Sequence, residues 1–210
     1  MSIQLYISII LIIVAFTAMI SAILSYKIMN RLYKKELKSD ISLEQMKSSE
    51  RRISDFLREN NLAPGTPIST IASVLNIVEG GVEDKISGRA RLNEPDVNGK
   101  MVVVFKKGID EIDKNFDFAH ECGHRINGDP APQTRPEGYN KSESDQLADY
   151  VAAALLMPID SVYTVLNDMD FKNSSLRRRL MIVRKLCSQY NVSRVIALRR
   201  VMEVYALKEA

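Results

Sequence analysis

The chain has 210 residues, of which 46% are hydrophobic and 26% charged, and its formal net charge is +3 at pH 7. The length allows one globular core beside shorter elements, and so small a positive charge does not indicate a nucleic-acid partner. The sequence contains no glycine-rich phosphate loop, internal repeat or low-complexity tract, which argues against nucleotide-binding and repeat classes.

The first 26 residues carry no charged side chain and are dominated by large apolar residues. About 24 helical residues span roughly 36 Å, enough to cross a hydrocarbon core of about 30 Å. A cleavable signal peptide would begin with basic residues, and none precedes Lys27. We therefore predict a retained transmembrane anchor at residues 1–28. By the positive-inside rule, the basic residues after it predict a single-pass cell-membrane protein whose N-terminus is outside and whose remainder is cytoplasmic. These residues are Lys27, Arg31, Lys34, Lys35 and Lys38.

Residues 29–63 are rich in charge and contain spaced apolar side chains, which predicts a juxtamembrane helical stalk, weakened around residues 39–42. Such a helix could pair with another helix or stand in solvent, and the sequence favours neither. The Ala-Pro-Gly-Thr-Pro sequence at residues 63–67 is typical of a boundary, so we assign the main domain to residues 67–210.

The first part of that domain predicts a short helix followed by a β-hairpin. Residues 68–78 favour the helix, residues 86–92 alternate apolar and polar, and residues 101–105 are strongly β-forming. The segment between the strands, residues 94–99, is turn material, so the two strands should pair antiparallel. The strand at residues 101–105 could bind an extended peptide at a free sheet edge, or it could be internal with both edges taken.

The two histidines of the chain lie four residues apart, in the sequence His-Glu-Cys-Gly-His at residues 120–124. On a helix, His120 and His124 project from the same face, so both rings can bind one ion. Glu121 is rotated by about 100° and remains close enough to touch a water molecule on that ion. Two neutral nitrogens, a third protein ligand and a carboxylate base are what zinc-dependent hydrolysis requires. The motif therefore predicts a Zn²⁺ site with Glu121 as general base.

The residues around the motif predict the extent of its helix, from about Asp113 to about Asn127, where Asn-Gly and a following Pro are a stop signal. Gly123 should allow another element to approach closely, and Cys122 should be a small buried residue pointing away from the metal. An apolar stripe at spacings of three and four should face the core: Phe116, Ala119, Gly123 and Ile126.

Because no other histidine exists, the third ligand should be one of the later acidic residues: Glu137, Glu143, Asp145 or Asp149. Residues 145–158 predict a second helix, closed by Pro158, on which Asp145 and Asp149 lie one turn apart. We favour Asp145 as the metal ligand, with Glu143 as the main alternative. Asp149 could accept the other ring N–H of a ligating histidine.

Beyond Pro158 the sequence predicts three helices, at residues 159–167, 174–190 and 193–208. The last two have the outline of a helix-turn-helix, with Ser193 as an N-cap. We expect the arginines at residues 177–179 and at 194 to form a solvated face rather than a DNA contact, because the net charge is small and an anchor limits access to DNA. In a domain facing the cytoplasm, Cys122 and Cys187 do not suggest a disulfide.

Two segments together resemble the ImmA/IrrE family of zinc metallopeptidases. They are Phe-x-x-Ala-His-Glu-x-Gly-His, at residues 116–124, and Ala-Asp-x-x-Ala-Ala-x-Leu-Leu-Met-Pro, at residues 148–158. The resemblance is good over residues 116–158 and extends more loosely over about 67–204. It implies an α+β, mainly helical, zincin-like domain with a small antiparallel sheet and a His-Glu-x-x-His helix.

The resemblance also implies roles for the site residues, with His120 and His124 as zinc ligands and Glu121 as general base. Asp145 occupies the position where the family usually has a ligating Glu, and its shorter side chain must sit closer to the metal. Asp149 matches a residue that supports a histidine in the family. No oxyanion donor is assigned among Tyr139, Tyr150 and Tyr163.

The function implied by the resemblance is a membrane-anchored, gluzincin-like zinc endopeptidase that cleaves a cytoplasmic protein. Family members act on helix-turn-helix repressors of mobile elements or in stress regulation, so the expected partner is a protein substrate of that kind, with nucleic acid not expected. The alternative is a non-catalytic regulatory binding module with a structural zinc site. A structural site would not need a base at Glu121, which favours the enzyme.

Overall fold

Seven helices and four short strands make up the part of the chain described by the computed structural model, namely residues 41–86, 88–130, 133–134 and 142–210. The predicted anchor at residues 1–28 lies outside this part. The helices are α1 (Leu43–Glu59), α2 (Ile68–Val74), α3 (Glu111–Asn127), α4 (Glu143–Leu156), α5 (Ile159–Asp168), α6 (Leu176–Tyr190) and α7 (Arg194–Lys208). The strands are β1 (Ile77–Glu83), β2 (Ala90–Leu92), β3 (Met101–Lys106) and β4 (Gln133–Thr134).

Capping residues define both ends of α3 and the start of α4, the two helices that carry the predicted site residues. The Asp110 side chain accepts a hydrogen bond from the Asp113 backbone at 2.8 Å, so α3 starts at Glu111, slightly before the predicted start. At its other end, Gly128 adopts a left-handed conformation, with φ of 83°, and ends the helix where predicted. Ser142 forms a capping box with Asp145 and begins α4.

The sheet is mixed, with strand order β1-β3-β2-β4. The predicted hairpin is confirmed, since β2 pairs antiparallel with β3. The prediction of a wholly antiparallel sheet is wrong, because β1 runs parallel to β3. Strand β3 therefore has both edges taken, and residues 101–105 do not offer a free edge to an extended peptide.

The predicted helix at residues 68–78 is shorter than expected, and its last residues belong to a strand. Helix α2 ends at Val74, and Asn76 turns the chain with φ of 57° before β1 begins at Ile77. Inside β1, a Cβ on Gly80 would lie only 2.9 Å from the Val103 carbonyl oxygen of β3. Position 80 of the strand therefore requires a glycine, although glycine has a low propensity for strands and so disfavours the prediction of one here.

Helix α1 covers most of the described part of the predicted stalk, and it packs against α3, α4 and α7. It buries an apolar stripe that joins the main core: Met46, Ile53 and Leu57. Glu50 on the same helix accepts hydrogen bonds from Tyr150 and Arg200. Residues 41–63 are thus part of the domain that holds the histidine motif, in one compact unit that spans Ser39–Ala210.

The three C-terminal helices predicted from the sequence are confirmed as α5, α6 and α7. They form a second apolar cluster around Leu166, Ile182, Leu186 and Val201, all of which are buried. Within the described ranges, no single helix has the length and apolar composition of a membrane span. Helices α4 and α5 meet that criterion only as a pair, across a bend of 62°.

Candidate metal centre

Helices α3 and α4 bring the predicted site residues into one buried location. His120 and His124 occupy successive turns of α3, and both side chains are fully buried. Glu121 follows His120 directly and is also fully buried. Asp145, in the first turn of α4, is only 9% exposed. Histidines and carboxylates in an apolar interior need hydrogen-bonding or ionic partners, and those partners define the chemistry of the site.

Each histidine is oriented by a carboxylate. The His120 Nδ1 lies 2.9 Å from Oδ1 of Asp149, and the His124 Nδ1 lies 2.8 Å from Oδ2 of Asp129. Because a carboxylate only accepts hydrogen bonds, we assign the proton of each neutral ring to Nδ1. Each Nε2 then presents an unprotonated lone pair. This is the tautomer that a metal ion binds.

The Nε2 atoms of the two histidines and one carboxylate oxygen lie close together. The His120 and His124 Nε2 atoms are 3.0 Å apart, and Oδ1 of Asp145 lies 3.8 Å and 3.6 Å from them. Three acceptors at such short range repel one another unless a cation lies between them. In a tetrahedral zinc site with bonds of about 2.0–2.2 Å, ligand atoms are roughly 3.3 Å apart. The observed separations lie on both sides of that value, so the three donors fit a zinc ion.

The structure also distinguishes between the two acidic candidates for the third position. Oδ2 of Asp145 accepts hydrogen bonds from the Ser142 backbone N–H at 3.1 Å and from the Ser142 hydroxyl at 2.6 Å, which leaves Oδ1 directed at the histidines. Glu143 is exposed and accepts a hydrogen bond from Gln45 Nε2 of α1 at 2.6 Å. The site therefore gathers His120, His124 and Asp145. Glu137 lies outside the described residues.

Helices α3 and α4 approach each other closely at Gly123, as its lack of a side chain predicts. A Cβ at this position would lie 2.7 Å from the Ala148 carbonyl oxygen and 3.2 Å from the Ala148 Cα. These are backbone atoms of α4, so they cannot move aside without moving the helix. Since Asp145 lies less than one turn before Ala148, the glycine sets how near the Asp145 carboxylate comes to the histidines.

Replacing Gly123 with Ala should therefore push α4 away from α3. We expect a loss of about 1–3 kcal/mol in the free energy of unfolding, the usual cost of overpacking, and weaker zinc binding. Denaturant unfolding and competition with a chromophoric chelator measure the two effects. Gly81→Ala is the matched control, because a Cβ there meets nothing within 4 Å. Equal stability of the two variants would contradict this account of the helix contact.

Two residues of the site, Asp129 and Ser144, were not identified from the sequence. Asp129 lies just after α3, and its backbone N–H donates to the His124 carbonyl oxygen at 2.9 Å. The Ser144 hydroxyl donates to Oδ2 of Asp129 at 2.8 Å and so fixes that carboxylate. The signal for Asp129 was its place one residue beyond the helix stop Gly128, because the turn there brings the chain back toward the last histidine.

The tyrosines considered as oxyanion donors are placed differently. Tyr150 is buried, and its hydroxyl donates to Oε1 of Glu50 at 2.7 Å; burial raises the pKa of this phenol. Tyr163 packs in the cluster of the C-terminal helices. Tyr139 lies outside the described residues. Cys122 is fully buried in the main core, as expected, and burial raises the pKa of its thiol.

A comparison with protein families found a match that covers the metal centre. The model of the peptidase M78 family, described as the IrrE N-terminal-like domain, matches residues 83–202, which is more than half of the chain. The matched range contains α3, α4 and every residue of the metal centre described above. No curated protein matches the chain.

Proposed function

Because the chain belongs to the peptidase M78 family, whose domain is metallopeptidase-like, we propose that it is a zinc-dependent endopeptidase. In this proposal His120, His124 and Asp145 bind the metal and Glu121 is the general base. The observation that carries the proposal is the convergence of two Nε2 lone pairs and one carboxylate oxygen within 3.0–3.8 Å of each other. Such a set of acceptors is suited to a divalent cation.

When bound, zinc supplies a Lewis acid that polarises the scissile carbonyl and lowers the pKa of a water molecule toward about 7. The protein's own groups do the rest. Asp149 and Asp129 hold the Nδ1 protons, so both Nε2 atoms remain ligands. Glu121 takes a proton from the attacking water and returns it to the leaving amine. Its full burial keeps bulk water from competing for that proton.

The proposed substrate is a cytoplasmic protein, such as a helix-turn-helix repressor of a mobile element or a stress regulator. This rests on the resemblance stated above. The proposed location is the cell membrane, with residues 1–28 as a single-pass anchor and the metallopeptidase domain in the cytoplasm. It rests on the uncharged residues 1–26 and on the basic residues that follow them.

The proposal is tested by asking whether new peptide ends depend on zinc. The full-length protein is stripped of metal, half of it is reloaded with Zn²⁺, and each half is incubated with a cytoplasmic extract before the protein N-termini are sequenced by mass spectrometry. We expect a small set of new N-termini with the zinc-loaded protein alone. Identical sets of termini in both samples would contradict an endopeptidase.

A further inference from the structure

The carboxylate that orients His120 is itself held by a residue of the last helix. The Arg199 guanidinium of α7 contacts Asp149 of α4 at two places. Its NH2 group donates to the Asp149 backbone carbonyl at 3.3 Å, and its NH1 group lies 3.6 Å from the Asp149 Oδ2. The other carboxylate oxygen, Oδ1, faces His120. One planar group thus fixes both the main chain and the side chain of Asp149.

Arg199 is in turn restrained by a buried set of alternating charges. Its Nε lies 3.5 Å from Oε1 of Glu203, one turn later on α7, and Oε2 of Glu203 lies 3.7 Å from NH1 of Arg200. Arg200 is fully buried and donates to Oε1 of Glu50 at 2.8 Å and to the Met157 carbonyl at 3.0 Å. Through Glu203 and Arg200, these contacts connect Arg199 to Glu50 on α1 and to Met157 just after α4.

We propose that Arg199 is a positioning residue of the metal centre, which acts on His120 through Asp149. The inference rests on the proposed function, because it concerns the same zinc site. Arg199 is 16% exposed, and its guanidinium lies against the same Asp149 carboxylate whose other oxygen faces His120, so this carboxylate connects Arg199 to the metal centre. By fixing that carboxylate, it keeps the His120 ring at the angle that directs Nε2 toward His124 and Asp145.

The direction in which zinc affinity changes when Arg199 is replaced distinguishes a positioning role from a purely electrostatic one. If Arg199 acted only as a positive charge near a cation, removing the charge would tighten zinc binding. If it positions His120, removing it should weaken zinc binding, because the ring gains freedom that binding must then remove. The two roles thus predict opposite changes for the same substitution.

The experiment measures zinc affinity of the full-length protein by competition with a chromophoric chelator. The variants are Arg199→Met, which keeps length without charge, and Arg199→Lys, which keeps the charge without the planar fork. Outer-shell partners of zinc ligands change metal affinity about 10–100-fold, so we expect about tenfold weaker binding for Arg199→Met and a smaller loss for Arg199→Lys. The Co²⁺ absorption spectrum should shift in both variants, because it reports ligand geometry. Arg184→Met is the control, an exposed arginine on α6.

Thermal unfolding of the metal-free proteins shows which variants fold. If Arg199→Met is folded and binds zinc as tightly as the wild type, or more tightly, the inference is wrong. If that variant does not fold, an Arg199→Lys variant with wild-type affinity and spectrum also overturns it. Wild-type protein that binds no zinc would instead overturn the proposed function, so the two failures are distinguishable.

Discussion

Replacing Asp145 with Asn should weaken zinc binding by at least about 100-fold. The substitution removes the negative charge that faces two histidine lone pairs at 3.6–3.8 Å, while an amide oxygen can still accept from Ser142 and so preserve the start of α4. Loss of an outer-shell partner already costs 10–100-fold in zinc affinity, so the loss of a direct ligand should cost more. Chelator competition gives the affinity, and metal analysis after gel filtration gives the stoichiometry.

Glu143→Gln is the matched control for this measurement, because Glu143 lies in the same turn of α4 and was the rival candidate for the third ligand. Its side chain is exposed and bonded to Gln45, so its removal should change the zinc affinity by no more than about threefold. If Glu143→Gln loses more affinity than Asp145→Asn, the third ligand has been assigned to the wrong carboxylate.

The parts of the site that the sequence predicted are those set by local helix geometry. The spacing of His120 and His124 places both rings on one face whatever surrounds the helix, and Asp145 and Asp149 follow the same rule one helix later. The stop signal at Gly128 is equally local. Helices α3 and α4 were therefore predicted to within about two residues at each end, before their packing was known.

The parts that the sequence did not predict depend on tertiary packing. Strand β1 was missed because its glycines disfavour a strand, and only contact with β3 explains Gly80. Arg199 and Glu203 were not singled out as site residues, because their spacing is also that of a solvated helix face. Their burial follows from the packing of α7 against α1 and α4, which no local pattern reveals.

The shorter third ligand shows how local and tertiary factors combine. The family resemblance led us to expect that Asp145 must approach the metal more closely than a Glu would. In the structure, the contact of Gly123 with the Ala148 backbone holds α4 against α3, and Ser142 turns the Asp145 Oδ1 inward. Close helix packing can thus compensate for one missing methylene, which is why Gly123→Ala should impair both folding and zinc binding.

Replacing Glu121 with Gln should lower the rate of peptide-bond hydrolysis by about 10²- to 10⁴-fold, the usual contribution of a general base, and leave zinc binding close to that of the wild type. Gln has nearly the same shape and cannot accept the proton of the attacking water. The rate is measured on a peptide that spans a cleavage site found with the zinc-loaded protein, under single-turnover conditions. Zinc affinity is measured on the same preparations.

Glu111→Gln provides the control, since it makes the same chemical change at an exposed position in the first turn of α3 and should leave the rate unchanged. The comparison also decides between the endopeptidase and a binding module with a structural zinc site. A structural site needs its three ligands but no base. If the Glu121→Gln variant processes the peptide at the wild-type rate, the hydrolysis does not depend on Glu121, and the proposed active site is wrong even where zinc binding is intact. A variant that binds zinc yet has lost the reaction assigns the proton transfer to Glu121, because the buried carboxylate is then the only group that has changed.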